Sequence, residues 1–222
     1  DKESFRVKIK MDKKMERMAL ALDKEIKGNF FIELEFEGIL NDDLSGFYRS
    51  KYYVGNEERY LATTQFEAPY ARKAFPCFDQ PDKKAIFSIG LKIPKKFQAI
   101  SNMPISAEKI EGDKKLVLFE KSPMMSSYLV YMGVGEFEFI ESKQGKVRIR
   151  IATTPGKIKQ GELALELTCK FLKYFEDYSG IKYPLPKLDM NALPDFAAGA
   201  MENWGAITFR EIALLFDSNN SS

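Results

Sequence analysis

For its first 153 residues the chain repeats short stretches in which apolar and polar side chains alternate, separated by turn signals and without helical periodicity. Phe5-Arg6-Val7-Lys8-Ile9-Lys10 sets apolar against basic residues, as a sheet with one wet face requires. Asn29 to Leu40 repeats the device, with Phe31, Glu33, Glu35 and Glu37 opposed to Ile32, Leu34 and Phe36. Further strands are expected over 59–67, 86–93, 115–119, 128–139 and 147–153, with turns at Glu111-Gly112-Asp113 and Gln144-Gly145. Parallel strands need crossovers of about a dozen residues or more, usually helical, and no helical pattern precedes residue 154. The expected fold is therefore a mainly β amino-terminal domain over 1–153, with antiparallel sheets in a sandwich or saddle.

The periodicity changes at Thr154-Pro155-Gly156-Lys157. Between Gly161 and Tyr178, residues Ala164, Leu167, Phe171, Leu172 and Phe175 fall at three- and four-residue steps, which predicts a helix with these on one face. Gly180 stands where a left-handed C-terminal cap belongs. Tyr183-Pro184-Leu185-Pro186 must run extended, and Leu188 to Leu193 reads as a buried strand. A second, α+β domain is expected over 154–222, too short to complete a core of its own.

The balance of 34 basic against 32 acidic residues leaves a net charge of +2, which gives no general attraction to nucleic acid or anionic lipid. Apolar runs such as Ile212 to Phe216 fall far short of the ~20 residues that span a bilayer. Neither nucleic acid nor membrane is expected as a partner. Cys77 and Cys169 are too far apart in sequence to form a motif, which favours a reducing, cytoplasmic setting. The start, Asp1-Lys2-Glu3-Ser4-Phe5, has neither an initiator methionine nor a signal-peptide pattern, so it is expected to be a trimmed or excised start.

Two segments could carry chemistry. Gly199-Ala200-Met201-Glu202-Asn203-Trp204-Gly205 brackets one carboxylate with glycines, which lack the Cβ that would keep backbone or ligand away. Glu202 could then bind a peptide's free ammonium by a charge-assisted hydrogen bond while the adjacent main chain pairs with the peptide as an added strand. The same segment also reads as a glycine-rich turn with an exposed glutamate and a packing tryptophan. In the second segment, Gln65 and Glu67 project to the same side at a strand end and could recognise polar and amine groups, or simply be solvated. Arg72 and Asp79 read as an ion pair or turn cap, and Cys77 as a small buried hydrophobe, because no histidine exists to activate it.

Together these segments resemble the zinc aminopeptidases of the aminopeptidase N type. Gly199-Ala200-Met201-Glu202-Asn203 matches that family's exopeptidase signature, and Pro194-Asp195-Phe196-Ala197-Ala198 before it and Trp204 to Glu211 after it extend the likeness. Thr64-Gln65-Phe66-Glu67 and Phe75-Pro76-Cys77-Phe78-Asp79-Gln80-Pro81 match the family's amino-terminal domain. The resemblance covers essentially the whole chain. It implies that Glu202 binds the substrate's α-ammonium with help from Glu67, and that Gln65 and Ala198 shape the first pocket. Gly199 and Ala200 would offer backbone groups, and Met201 and Asn203 complete the substrate-binding signature. It also implies that the second domain is the start of a thermolysin-like catalytic domain and that the first lacks its opening strands.

The family's zinc motif, His-Glu-x-x-His with a further glutamate, has no counterpart, since the chain contains no histidine. The reading is thus a fragment that ends before the metal helix, binds no cofactor itself and is inactive alone. The intact enzyme would use zinc, accept peptides with a free amino terminus and include the remainder of the catalytic domain as partner. The rival is a non-catalytic peptide-binding or scaffold protein that keeps the amine-recognition surface.

Overall fold

A computed structural model describes residues 6–217, which fall into two compact units meeting in sequence at Glu37 and Gly38. In the first unit β1 (Lys8–Asp12) pairs antiparallel with β2 (Arg17–Ala21), from Lys8 opposite Ala21 to Asp12 opposite Arg17. The Asp12 carboxylate accepts the Met15 N–H at 3.0 Å and steadies the turn. Phe5, first in the expected opening strand, lies outside the described residues.

Residues 29–40, expected as a strand, form none, and Phe31 and Ile39 are 94% and 90% exposed. Alternation decides which side chains would share a face, but a strand exists only when a neighbour completes its ladder.

The second unit contains β3 (Gly46–Val54), β4 (Glu57–Gln65), β5 (Gly90–Pro94), β6 (Gln98–Ser101), β7 (Ile105–Glu111) and β8 (Lys114–Phe119). It continues with β9 (Met132–Gly135), β10 (Glu138–Gln144), β11 (Val147–Thr153), helix α1 (Glu162–Ser179) and β12 (Lys187–Leu193). Last come β13 (Ala200–Met201), β14 (Ala206–Arg210) and the short helix α2 (Glu211–Leu214). The expected turns at Gly112 and Gly145 join β7 to β8 and β10 to β11.

These strands build a four-stranded sheet in the order β3-β4-β9-β6, a three-stranded sheet β5-β8-β7 and a five-stranded sheet β10-β11-β12-β14-β13. Pairing is antiparallel except for β11 with β12 and β12 with β14. The β11–β12 crossover contains α1, the long helix that a parallel connection calls for. The fold is thus mainly β, with helical crossover structure entering only late in the chain, as the change of periodicity predicts. Residue 154 follows β11 directly, so the five-stranded sheet extends to both sides of it.

On one face of that sheet Leu172 of α1 packs with Val147, Ile149 and Leu188. On the other, Ala152, Leu193, Met201 and Ala206 share a core with Tyr52, Leu61, Ile100 and Tyr131, tying it to the four-stranded sheet. Ile93, Ala99, Val117 and Phe119 form a further cluster between the four- and three-stranded sheets.

Helix α1 ends at Gly180, whose φ of 69° and ψ of 9° are left-handed, as expected. Its buried stripe differs from the expected one: Ala164, Thr168 and Leu172 face the sheet, whereas Phe171 and Phe175 are exposed. The apolar arc is wider than the surface it covers, and Tyr174 instead meets Phe175 edge-on at 5.4 Å and stacks on Tyr178 at 5.9 Å. Among the described residues no helix is long and apolar enough to cross a membrane.

Candidate functional site

The glycine-bracketed segment forms the edge of the five-stranded sheet. In β13, Ala200 lies opposite Phe209 and Met201 opposite Thr208, and the Arg210 N–H donates to the Gly199 carbonyl at 3.0 Å. Antiparallel pairs alternate between hydrogen-bonded and open, so with 199 bonded to 210 the N–H and C=O of Ala200 point away from β14, toward the free edge. Side chains alternate as well: Met201 and Asn203 are buried, whereas Ala200 and Glu202 are exposed. Ala198 and Gly199 are also exposed, and a Cβ at Gly199 would touch nothing within 4 Å.

Gly205 is different. Its φ is +71°, and a Cβ there would overlap the Asn102 carbonyl oxygen. Asn102 follows β6 and binds across to the segment: its Nδ2 donates to the Trp204 carbonyl at 2.9 Å and the Leu129 carbonyl at 2.7 Å, while its Oδ1 accepts the Tyr131 N–H at 2.8 Å.

Beneath the Gly205 turn lies a buried charge cluster that sequence reasoning missed. Lys187 Nζ donates to Asp189 Oδ2 at 2.7 Å and to the Gly205 carbonyl at 2.6 Å. Arg150 makes a two-pronged bond to the same carboxylate at 2.7 and 2.6 Å, and the Asp189 N–H adds a second bond to Gly205 O at 3.0 Å. Burial pushes the Lys187 ammonium down to about 8 against the pull of Asp189, with Arg150 and Arg148 lowering it further. For Asp189, burial works upward but is outweighed by Lys187 and Arg150, which hold the carboxyl below its ordinary range. The signal available in the sequence was a Lys-x-Asp pair, one face of a strand otherwise read as buried.

Upstream, Asp195 is fastened to β3. The Tyr48 hydroxyl donates to its carbonyl at 2.8 Å, its N–H donates to Ser50 Oγ at 2.9 Å, and its carboxylate accepts the Lys51 N–H at 2.9 Å. Nearby, Arg210 Nε and Nη2 donate to the carbonyls of Phe196 and Ala197 at 3.0 and 2.7 Å. Both sheets thereby fix the approach to β13.

Gln65 ends β4, opposite Gly46 on β3, and is buried with its Oε1 lacking any hydrogen-bond partner. Such orphaned acceptors are uncommon and call for an explanation. Glu67, two residues on, is exposed. Phe66 between them belongs to the same buried core as Met201. Asn203 Oδ1 is a second orphan in this region, although its Nδ2 reaches Thr208 Oγ1 at 3.3 Å.

Arg72 Nε donates to Asp79 Oδ2 at 2.9 Å, the expected loop-fixing pair. Cys77 is half-buried and its thiol is pushed up to about 11, chiefly by burial, so it is a poor nucleophile. Among the described residues no three His, Cys, Asp or Glu side chains gather into a metal site. These residues therefore do not fit the zinc that the resemblance implies.

Comparison with known proteins bears on this architecture directly. Residues 1–129 match the Peptidase M1 N-terminal domain and residues 163–222 the Peptidase family M1 domain. The chain is 50% identical to the probable aminopeptidase 2 of Sulfurisphaera tokodaii over 191 residues, which is 86% of this chain and 24% of that protein. It is 48% identical to the mitochondrial aminopeptidase 2 of Saccharomyces cerevisiae over 198 residues, 88% of this chain and 21% of that protein. With the puromycin-sensitive aminopeptidase of Caenorhabditis elegans it shares 49% identity over 196 residues, 86% of this chain and 21% of that protein. The chain thus spans about a quarter or less of the length of the curated relatives it matches. On the strength of both domain matches and of this level of identity, the chain belongs to peptidase family M1.

Proposed function

We propose that this chain carries the part of an M1 aminopeptidase that recognises the substrate's amino terminus. The carrying observation is that Ala200 turns its main-chain groups to the free edge of β13 while the Glu202 side chain, two residues on, is exposed. A peptide laid along that edge as an added strand would pair with Ala200 and bring its ammonium to Glu202. Glu67 would be a second carboxylate for the ammonium, and the orphaned Gln65 Oε1 an acceptor for a bound substrate group. Ala198 would line the pocket wall, while buried Met201 and Asn203 would act by anchoring the strand.

A blocked amino terminus would leave carboxylates facing a neutral group, desolvated and unpaired, which is the physical basis for requiring a free amine. The residues of this chain hold and orient the substrate, while zinc and the group that activates water would be supplied by residues outside it. We assign 1–153 and 154–222 to the amino-terminal and catalytic parts of the family, a division that lies between the two domain matches. Two free cysteines suit a cytoplasmic setting.

The test is Glu202→Ala in the full-length protein assayed on unblocked and acetylated peptides. A fall in kcat/KM of about 30- to 1000-fold on unblocked peptides is expected, the scale of losing a desolvated charge pair from a transition state. Unchanged kcat/KM would remove Glu202 from this role. Binding of unblocked peptides without hydrolysis by the wild type would favour the non-catalytic binding protein.

A further inference from the structure

We propose that Lys187 is a positioning residue for the recognition strand, a charge-held latch that grips the Gly205 carbonyl and so fixes how Ala200 and Glu202 are presented. This inference rests on the reading of β13 as the peptide-binding edge. Two successive carbonyls are pinned from two different sheets: Gly205 by Lys187 Nζ at 2.6 Å from the five-stranded sheet, and Trp204 by Asn102 Nδ2 at 2.9 Å from the end of β6. These bonds hold the carboxyl-terminal end of the segment that runs back to Ala200.

A lysine is a costly choice for this task on stability grounds alone. Its side chain is 5% exposed and that of Asp189 is fully buried, and buried ion pairs are often no more stable than apolar residues of the same shape. Asp189 already has a full partner in Arg150. What Lys187 adds, beyond its bond to Asp189, is a second contact, the turn carbonyl, which a hydrocarbon could not make.

The groups facing Lys187 make the latch responsive to pH. They are Asp189 on its own strand, Arg148 and Arg150 on β11, the Tyr183 hydroxyl at 3.3 Å from the Lys187 carbonyl, and Tyr131, which lies within electrostatic reach of Asp189. Two cations share one carboxylate, and the guanidinium keeps its proton at any ordinary pH. Lys187 is therefore the member that titrates, from a value of about 8. As a neutral amine it keeps its N–H bonds but loses its attraction to Asp189, and its grip on Gly205 slackens.

Trp204, the chain's single tryptophan, is 40% exposed and adjoins the latch, so its emission reports the turn. In the 222-residue chain, wild-type Trp204 emission should change between pH 6 and 10 with a midpoint of about 8. Lys187→Arg, which stays charged, should hold the acid-side emission throughout, and Lys187→Met the alkaline-side emission. A flat wild-type titration overturns the proposal, as does a Lys187→Arg titration that tracks the wild type. If Lys187→Met loses the wild-type circular dichroism, those two results still decide.

A second arm follows the amide signals of residues 199–205 by NMR as trialanine or N-acetyl-trialanine is added at pH 7 and pH 9. The peptide's own amine titrates in this range, so wild type and Lys187→Arg are compared at each pH. Trialanine affinity should fall further in the wild type than in Lys187→Arg on going to pH 9; equal falls count against the latch. If trialanine moves none of these signals in either protein, the peptide-binding reading fails while the emission titration still decides the latch.

Discussion

Gly199 and Gly205 bracket one segment but answer to different constraints. Gly205 combines a left-handed φ with contact against the Asn102 carbonyl, whereas Gly199 faces open space. Gly205→Ala should therefore cost roughly 2 to 4 kcal/mol of stability, because both backbone strain and overlap with main chain must be relieved. Gly199→Ala should stay within about 0.5 kcal/mol of wild type in urea unfolding, since the added methyl group meets open space. Equal destabilisation by the two would contradict this division. The charge cluster gives a second residue-level expectation. Lys187 titrates lower in the folded chain than its ordinary value of 10.5, so between about 8 and 10.5 the unfolded chain binds more protons and stability from this group rises with pH. Urea unfolding at pH 7 and pH 10 should show the wild type gaining on Lys187→Met by up to ~3 kcal/mol; a constant difference would mean the ammonium is not held in a buried site. Asp189 works at the opposite end of the scale: its contribution is present above the ordinary carboxylate range and fades as pH falls through its lowered folded value.

At the scale of elements, β13 is only Ala200–Met201 and cannot define its own position. Its placement comes from β14 on one side and, upstream, from the fastening of Asp195 to β3. Tyr48 is fully buried and its hydroxyl donates to the Asp195 carbonyl, so Tyr48→Phe should cost about 1 to 2 kcal/mol and leave that acceptor to Ser50 alone. Amide exchange of residues 196–199 should quicken more than that of β4; a uniform change would show that Tyr48 supports the sheet rather than the loop. Short-range patterns explain which elements were legible from the sequence. Gly180 announces a helix end, Gly112 and Gly145 announce hairpins, and the buried run Leu188 to Leu193 announces a central strand, because each depends on residues adjacent in the chain. Residues 29–40 misled for the complementary reason, since alternation cannot show whether a partner strand exists. The exposure of Phe171 and Phe175 was hidden likewise: periodicity locates an apolar arc but not how much of it a sheet will cover. In the site, the exposed positions 200 and 202 follow from strand alternation, whereas Lys187 was missed because a lysine reads as surface until Arg150, 39 residues before Asp189, closes the cluster.

At the scale of the whole molecule, the change from strand to helix periodicity near residue 154 marks a boundary in pattern, yet hydrogen bonding runs through it. β11 ends at Thr153 and finds its parallel partner in β12, with Arg148 opposite Lys187 and Ala152 opposite Asn191. Ala152 also shares a core with Leu193, Phe196, Met201 and Ala206, all beyond the boundary. A division between family domains need not be a division between folding units, and here the shared sheet argues that it is not. Residues 38–222 should consequently unfold in one cooperative step followed equally by Trp204 emission and circular dichroism. Residues 38–153 alone would leave the β12-facing side of β11 unpaired and the Ala152 face uncovered, and should lack a dispersed NMR spectrum. Adding residues 154–222 in trans should restore that dispersion, since the missing surface is supplied by one contiguous stretch. Cooperative unfolding of 38–153 by itself, at the stability of 38–222, would show instead that β13 and β14 dock onto a finished domain. The latch at Gly205 would then join two folded bodies instead of organising the interior of one.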